Sequence, residues 1–190
     1  MGLKETFELR GFQFAEFQNK EEAVSFLRRE CSGKTVAFGG SVTLQELGLY
    51  EALNEDSSCA WHWKKDEGEK IAAAQVYITS ANAVSETGEI INIDGNCNRV
   101  SSSVYGHEQV YFVIGQNKLT KDLPSAWNRA RNIAAPKNAM RLNRKTPCAV
   151  DGICHDCQSP DCICALIAIL SRKPSSCKAT LVLIHEDLGY

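Results

Sequence analysis

Short apolar runs along this chain alternate with stretches in which apolar residues return every three or four positions. FQFAEF, residues 12–17, alternates in the manner of a short strand. KEEAVSFLRREC follows, with Val24, Leu27 and Cys31 on one stripe, Asn19 placed to cap and Glu22 at the third helical position, and this predicts a helix over 20–31. TVAFGG, 35–40, reads as a strand that ends in glycines. Thr43 and Glu46 have the spacing of a capping box, and Leu44, Leu47 and Leu53 supply an apolar face, so Gly39–Gly40–Ser41 joins a strand to a helix start. CAWHW (59–63), QVYITS (75–80), EIINI (89–93), QVYFVIG (109–115) and ATLVLIHE (179–186) read as further strands. EGEKIAAA (67–74) and LPSAWNRARNIAAP (123–136) read as helices, the second stopping at Pro136. Strands alternating with helices predict an α/β chain with a mainly parallel sheet and helices on both faces. In such sheets ligands bind beyond the carboxyl ends of the strands.

Composition narrows this picture. A chain of 190 residues fits one domain, 1–190, with a substantial core. The net charge of −2 is not gathered into runs, so a nucleic-acid or membrane-surface partner is not expected. MGLKETFELR is charged early and lacks an apolar segment, which argues against a secretory signal. Its Met-Gly start with Thr6 meets a myristoylation pattern only in outline. The apolar run from Ile163 to Leu170 is too short to span a bilayer. Cysteine is abundant, at nine residues: Cys31, Cys59, Cys97 and Cys177 are scattered, and five more fall within 148–164. For a chain without an export signal the expected place is a reducing cytoplasm, where clustered cysteines serve as metal ligands or catalytic thiols more often than as disulfides.

Four places could carry chemistry. Gly39–Gly40–Ser41 offers glycines that allow close backbone approach and free N–H groups at a helix start, although a strand-to-helix turn needs glycine anyway. SANAVSETG followed by EIINIDGNCNR crowds Asn82, Gly88, Asn92, Asp94, Gly95, Asn98 and Arg99 around a few isoleucines. Asparagines both donate and accept, Asp94 only accepts, and Arg99 can grip a carboxylate or phosphate with two donors. Two tight turns stabilised by Asn and Asp are one reading of this stretch, and a pocket for a small anionic metabolite is the other, favoured because the pairable polar groups are denser than turn chemistry alone requires. Lys118 in GQNKL follows the strongest strand and would stand at its carboxyl end; by itself it reads as an exposed turn lysine. TPCAVDGICHDCQSPDCIC has the spacing C-x5-C-x2-C-x4-C-x-C from Cys148 through Cys154, Cys157 and Cys162 to Cys164. Four thiolates suit zinc or an iron–sulfur cluster, with His155 as a further nitrogen donor, and a metal-free loop of reduced thiols is the other reading.

VAFGGSVTLQELGL, ITSANAVSETGEIINIDGNCNRVSSSVYG, VIGQNKLTKDL, ARNIAAPKNAMRL, TPC, CHDC and the final EDLGY together resemble the LUD (lactate-utilization) domain family, from about residue 8 to the end. The resemblance implies a NagB/RpiA/CoA-transferase-like fold and a link to oxidation of L-lactate or related organic acids, in a system where LUD proteins accompany iron–sulfur redox partners. It is to the short, stand-alone members with a cysteine-rich tail, and it matches Cys148, Cys154, Cys157 and Cys164 to that tail, leaving Cys162 as an extra thiol or an alternative ligand. Relatives by fold bind sugar phosphates, CoA esters or folates near glycine-rich loops. By that analogy Gly39, Gly40 and Ser41 form one wall of the pocket, and Asn82, Glu86, Gly88, Asn92, Asp94, Asn98 and Arg99 another. CoA transferases use a glutamate nucleophile, and Glu86 in SETG sits in a similar-looking turn; an exposed turn carboxylate is its plainer role. Enzyme and accessory protein are both open on this reading, as are the substrate, the metal and the oligomeric state.

Overall fold

A computed structural model describes residues 2–65 and 67–190, so Met1 of the myristoylation pattern lies outside the described residues. The elements in chain order are α1 (Leu3–Leu9), β1 (Gln13–Phe17), α2 (Lys20–Cys31), β2 (Thr35–Phe38), α3 (Val42–Glu46), α4 (Leu49–Leu53), β3 (Ser58–Trp61), α5 (Gly68–Ala72), β4 (Val76–Thr79), β5 (Ala83–Ser85), β6 (Ile90–Asp94), α6 (Asn98–Val104), β7 (Gln109–Gly115), β8 (Leu119–Thr120), α7 (Leu123–Arg129), a π-helical turn (Ala130–Ala134), α8 (Ala135–Arg141), α9 (Pro147–Asp151), β9 (Leu166–Leu170) and β10 (Lys178–Ile184).

Six strands form an all-parallel sheet in the order β1-β10-β7-β4-β2-β3. Both of its faces are covered, which is why its strands read as continuous apolar runs. Along β7, Tyr111 and Val113 point to one face and Val110, Phe112 and Ile114 to the other. The first face packs on Ala23, Leu27 and Cys31 of α2 and on Leu44, Leu49 and Leu53 of α3 and α4. The second face packs on Phe7 of α1, Ile71 of α5, and Val84 and Ile90 of a second sheet. The fold class expected from the alternation is therefore the one observed.

The second sheet, ordered β8-β5-β6-β9, is mixed: β5 pairs with β6 antiparallel and with β8 parallel, and β6 pairs with β9 antiparallel. Its far side, through Ala83, Ile91 and Ile93, buries Ala126, Ala130 and Ala135 of the α7–π–α8 rod.

Three local expectations need correction. The helix of 123–136 does not stop at Pro136; it continues to Arg141. The π turn resets the hydrogen-bond register, and Pro136 falls in the first turn of α8, where its missing N–H costs little. The helix after the glycines is capped by Ser41, whose hydroxyl accepts the Leu44 N–H at 3.4 Å, and not by Thr43. Thr43 is instead fully buried and faces inward. Strand β3 ends at Trp61, which frees His62 and Trp63 for a loop. The cap of α2 is as expected: Asn19 Oδ1 accepts the Glu22 N–H at 3.0 Å.

Candidate functional site

The chain runs from β2 to β3 on one side and then returns to β4 on the other side of β2. Connections diverging in this way leave a crevice beyond the strand ends, the usual ligand position of parallel sheets. The residues just past these ends meet there: Gly40 and Ser41 after β2, Trp63 after β3, Ser80 to Asn82 after β4, and Lys118 after β7. Arg99 of α6, Asn138 and Arg141 of α8, and Tyr190 complete a cavity of about 70 Å³. A second space of about 240 Å³ shares Gly40, Trp63, Arg99, Asn138 and Arg141 with the first and adds His62, Asp94, Gly95, Asn98 and Arg144.

The smaller cavity is cationic. No Asp or Glu lines it, and among the described residues Lys118, Arg99, Arg129 and Arg141 have no carboxylate ion-pair partner within 4.0 Å. Lys118 is only 4% exposed. Its Nζ donates to Thr43 Oγ1 at 2.6 Å and to Ser80 Oγ at 2.9 Å. An ammonium carries three donors, so one remains beyond these two hydroxyls. Burial, with the nearby Arg129 and Arg99 guanidiniums, pulls Lys118 down to about 7. Burial also lowers Arg99.

Arg99 is committed to the protein. It donates from Nη1 to Asn92 Oδ1 at 2.5 Å and from Nη2 to the Ile93 carbonyl at 2.7 Å, with longer bonds to Asn82 Oδ1 at 3.3 Å and the Ser80 carbonyl at 3.4 Å. It therefore ties the β4–β5 loop to β6 while bringing positive charge to the cavity wall. Arg129 lies behind, donating to the carbonyls of Asn117 and Asn82. Arg141 donates from Nε to Tyr190 Oη at 2.7 Å and from Nη2 to Asn138 Oδ1 at 2.9 Å, and its guanidinium lies 5.2 Å from the centroid of Trp63. The Trp63 ring stacks on Trp61 at 5.0 Å and covers Gly40, where a Cβ would stand 2.3 Å from Trp63 Nε1. That approach is what requires glycine at position 40.

Of the residues singled out in the sequence, Gly40, Ser41, Asn82, Asp94, Gly95, Asn98, Arg99 and Lys118 line one or both spaces. Gly39 stands one residue back, its carbonyl accepting Trp61 Nε1–H at 3.1 Å, and Asn92 is buried behind Arg99. Both oxygens of Asp94 are used locally, accepting the N–H groups of Asn96 and Val100 at 3.1 and 3.0 Å, so it builds the turn into α6. Glu86 and Gly88 are corrections to the expected wall: both sit in the β5–β6 turn and line neither space. Gly88 has φ +97 and faces Arg10, and Glu86 is exposed. Lys118 is not the exposed turn lysine that GQNKL suggested in isolation. Trp63, Ser80, Asn138, Arg141 and Tyr190 went unread; Arg141 was hidden because its helix was ended at Pro136.

All five clustered cysteines line another cavity, of about 340 Å³, together with Thr146 and with Arg131 and Ala135 from the π turn and α8. None of the nine cysteines is in a disulfide. Among the described residues, no three His, Cys, Asp or Glu side chains form a set that could hold one metal ion. Burial raises Cys31 to about 12 and Cys59 to about 11, which keeps both as inert core thiols.

The LUD domain family model matches residues 1–184, and the chain belongs to that family. A solved DUF162 family protein from Deinococcus radiodurans is similar across 96% of both chains, with a TM-score of 0.55 at 9% identity, a likeness of fold alone. Part of the chain, 56%, also superposes on 44% of eIF2B beta from Chaetomium thermophilum, with a TM-score of 0.40 at 17% identity. No curated protein matches the chain.

Proposed function

With the chain placed in the LUD family, we propose that it binds a small anionic metabolite in the cavity at the ends of β2, β4 and β7, in the service of lactate or related organic-acid metabolism. One observation carries this reading: buried Lys118, with Arg99 and Arg141, faces a cavity that no Asp or Glu side chain lines. Buried charge without a partner is costly, and a bound anion removes that cost. A cavity of about 70 Å³ has room for roughly five water-sized groups, the scale of a short carboxylic acid or a phosphate. The adjoining 240 Å³ can take the remainder of a longer ligand such as a sugar phosphate or CoA ester.

In this reading Lys118 gives its third N–H to the anion, the Ser41 hydroxyl and the Gly40 backbone flank it, and Arg141 closes over it from α8. Calorimetric titration with lactate, pyruvate, inorganic phosphate, sugar phosphates and CoA esters tests it. The expected result is saturable binding of at least one of these and a roughly 10- to 100-fold loss of affinity in Arg141→Ala, the scale of one charge-assisted hydrogen bond. Absence of binding across the panel contradicts it.

A further inference from the structure

The cysteine cavity is separate chemistry from the anion pocket. Cys148 comes from α9, Cys154 and Cys157 from the loop after it, and Cys162 and Cys164 from the segment leading into β9, so two passes of chain deliver thiols to one space. Gly152 at φ +79 and Asp156 at φ +50 bend the loop around it. Ile163, Ile167 and Ala135 supply an apolar lining, and Cys164 and Ile167 pack into the core between the second sheet and the α7–π–α8 rod. The π turn holds Arg131 at the rim, where Nη2 lies 3.2 Å from Cys154 Sγ and 2.7 Å from Asp156 Oδ1. π turns inside helices recur where a side chain must be aimed at a site.

A single zinc ion bonds its thiolates at about 2.3 Å and so gathers four sulfurs within about 4 Å of one another. No such set is present among the described residues, yet five thiols surround a space of about 340 Å³. A space of this size lined by five thiols suits a larger occupant that takes one thiolate at each of several corners. The Cys162 thiol neighbours that of Cys164, so these two would compete for one corner. Cys148, Cys154 and Cys157 supply the other three. We propose that this cavity is the site of a four-iron iron–sulfur cluster ligated by Cys148, Cys154, Cys157 and Cys164, with Cys162 as the spare thiol and Arg131 offsetting the negative charge. Ile163 lines both this cavity and the larger anion space, and its backbone lies 3.3 Å from where a Gly95 Cβ would stand, so the two sites are separated by one residue.

The test is elemental and sulfide analysis with a visible spectrum on the full chain purified without oxygen. The expected result is about four iron and four sulfide per chain, with a broad charge-transfer band that bleaches on reduction by dithionite. Cys162→Ser keeps the band, and Cys154→Ser loses it while far-ultraviolet circular dichroism confirms that the variant is folded. Stoichiometric zinc without sulfide overturns the proposal, as does wild-type protein in which a thiol reagent titrates all five cysteines and no iron is found. If Cys154→Ser does not fold, the wild-type iron and sulfide content decides alone.

Discussion

Replacing Lys118 by methionine gives the sharpest test of how this site is built. The ammonium is 4% exposed and is held by two hydroxyls, with Glu46 as a nearby carboxylate that forms no ion pair with it within 4.0 Å. Burial carries it from 10.5 to about 7. At about 1.4 kcal/mol per pH unit, keeping this lysine folded costs roughly 5 kcal/mol below neutral pH. Between about 7 and 10.5 the unfolded chain holds a proton on this lysine that the folded chain has released, so stability rises with pH across that window. The contribution from about pH 7 to about pH 9 is roughly 2 kcal/mol. Methionine fills a similar volume and carries no proton, so its variant lacks this part of the slope. It also leaves the Thr43 and Ser80 hydroxyls short of a donor, which shifts stability at every pH but not the slope. Urea denaturation of both proteins at several pH values reads the difference directly. Parallel pH profiles for wild type and Lys118→Met would refute the assignment of a buried, neutral-pH lysine.

Further variants separate the roles around the cavity. Arg99→Ala removes the donor to Asn92 Oδ1 and to the Ile93 carbonyl, while Asn82 Oδ1 keeps the Ile93 N–H, and is expected to destabilise by about 1–3 kcal/mol in urea melts, with lysine failing to restore the four-acceptor geometry. Gly40→Ala drives a methyl into Trp63, so tryptophan fluorescence shifts and anion affinity falls while the melting temperature stays near wild type. Glu86→Gln changes neither anion affinity nor stability beyond about 0.5 kcal/mol, because this exposed turn residue lines neither space; a loss of affinity would restore it to the site. Gly88→Ala strains a φ of +97 and pushes on Arg10, which pairs with Glu89 at 2.6 Å, and is expected to lower stability by more than about 1 kcal/mol in thermal melts.

The main sheet was legible because it is buried on both faces. Strands β2, β4, β7 and β10 are near-continuous apolar runs, and α2 carries a working cap and a clear stripe. The second sheet was not legible: β5 has three residues and β8 two, too short to show any period. It was hidden inside the polar stretch around SETG, where tertiary pairing with β6 and β9 decides the structure. For the same reason Glu86 and Gly88 read as part of the pocket wall, which they do not line. Asn82 and Arg99 turn toward the cavity, whereas Glu86 and Gly88 make a hairpin turn at the far end of β5. Lys118 was legible only through its place after a parallel strand, since nothing in GQNKL announces burial. Trp63 could have been found by the same rule, as it too follows a strand end. Arg141 and Asn138 needed the recognition that a proline can open a helix segment after a π turn.

The central claim is that an anion binds at Lys118 and takes the third donor of its ammonium form, and proton-linked binding tests it most directly. Calorimetry of the best-binding anion at about pH 8, repeated in buffers of different ionisation enthalpy, counts the protons exchanged. An anion that holds Lys118 charged must draw a proton from solution, because above about 7 the free lysine is mostly neutral. The account predicts uptake approaching one proton per anion in wild type, affinity that falls as pH rises, and neither effect in Lys118→Met. Anion binding with no proton uptake, or unchanged binding in Lys118→Met, would contradict it.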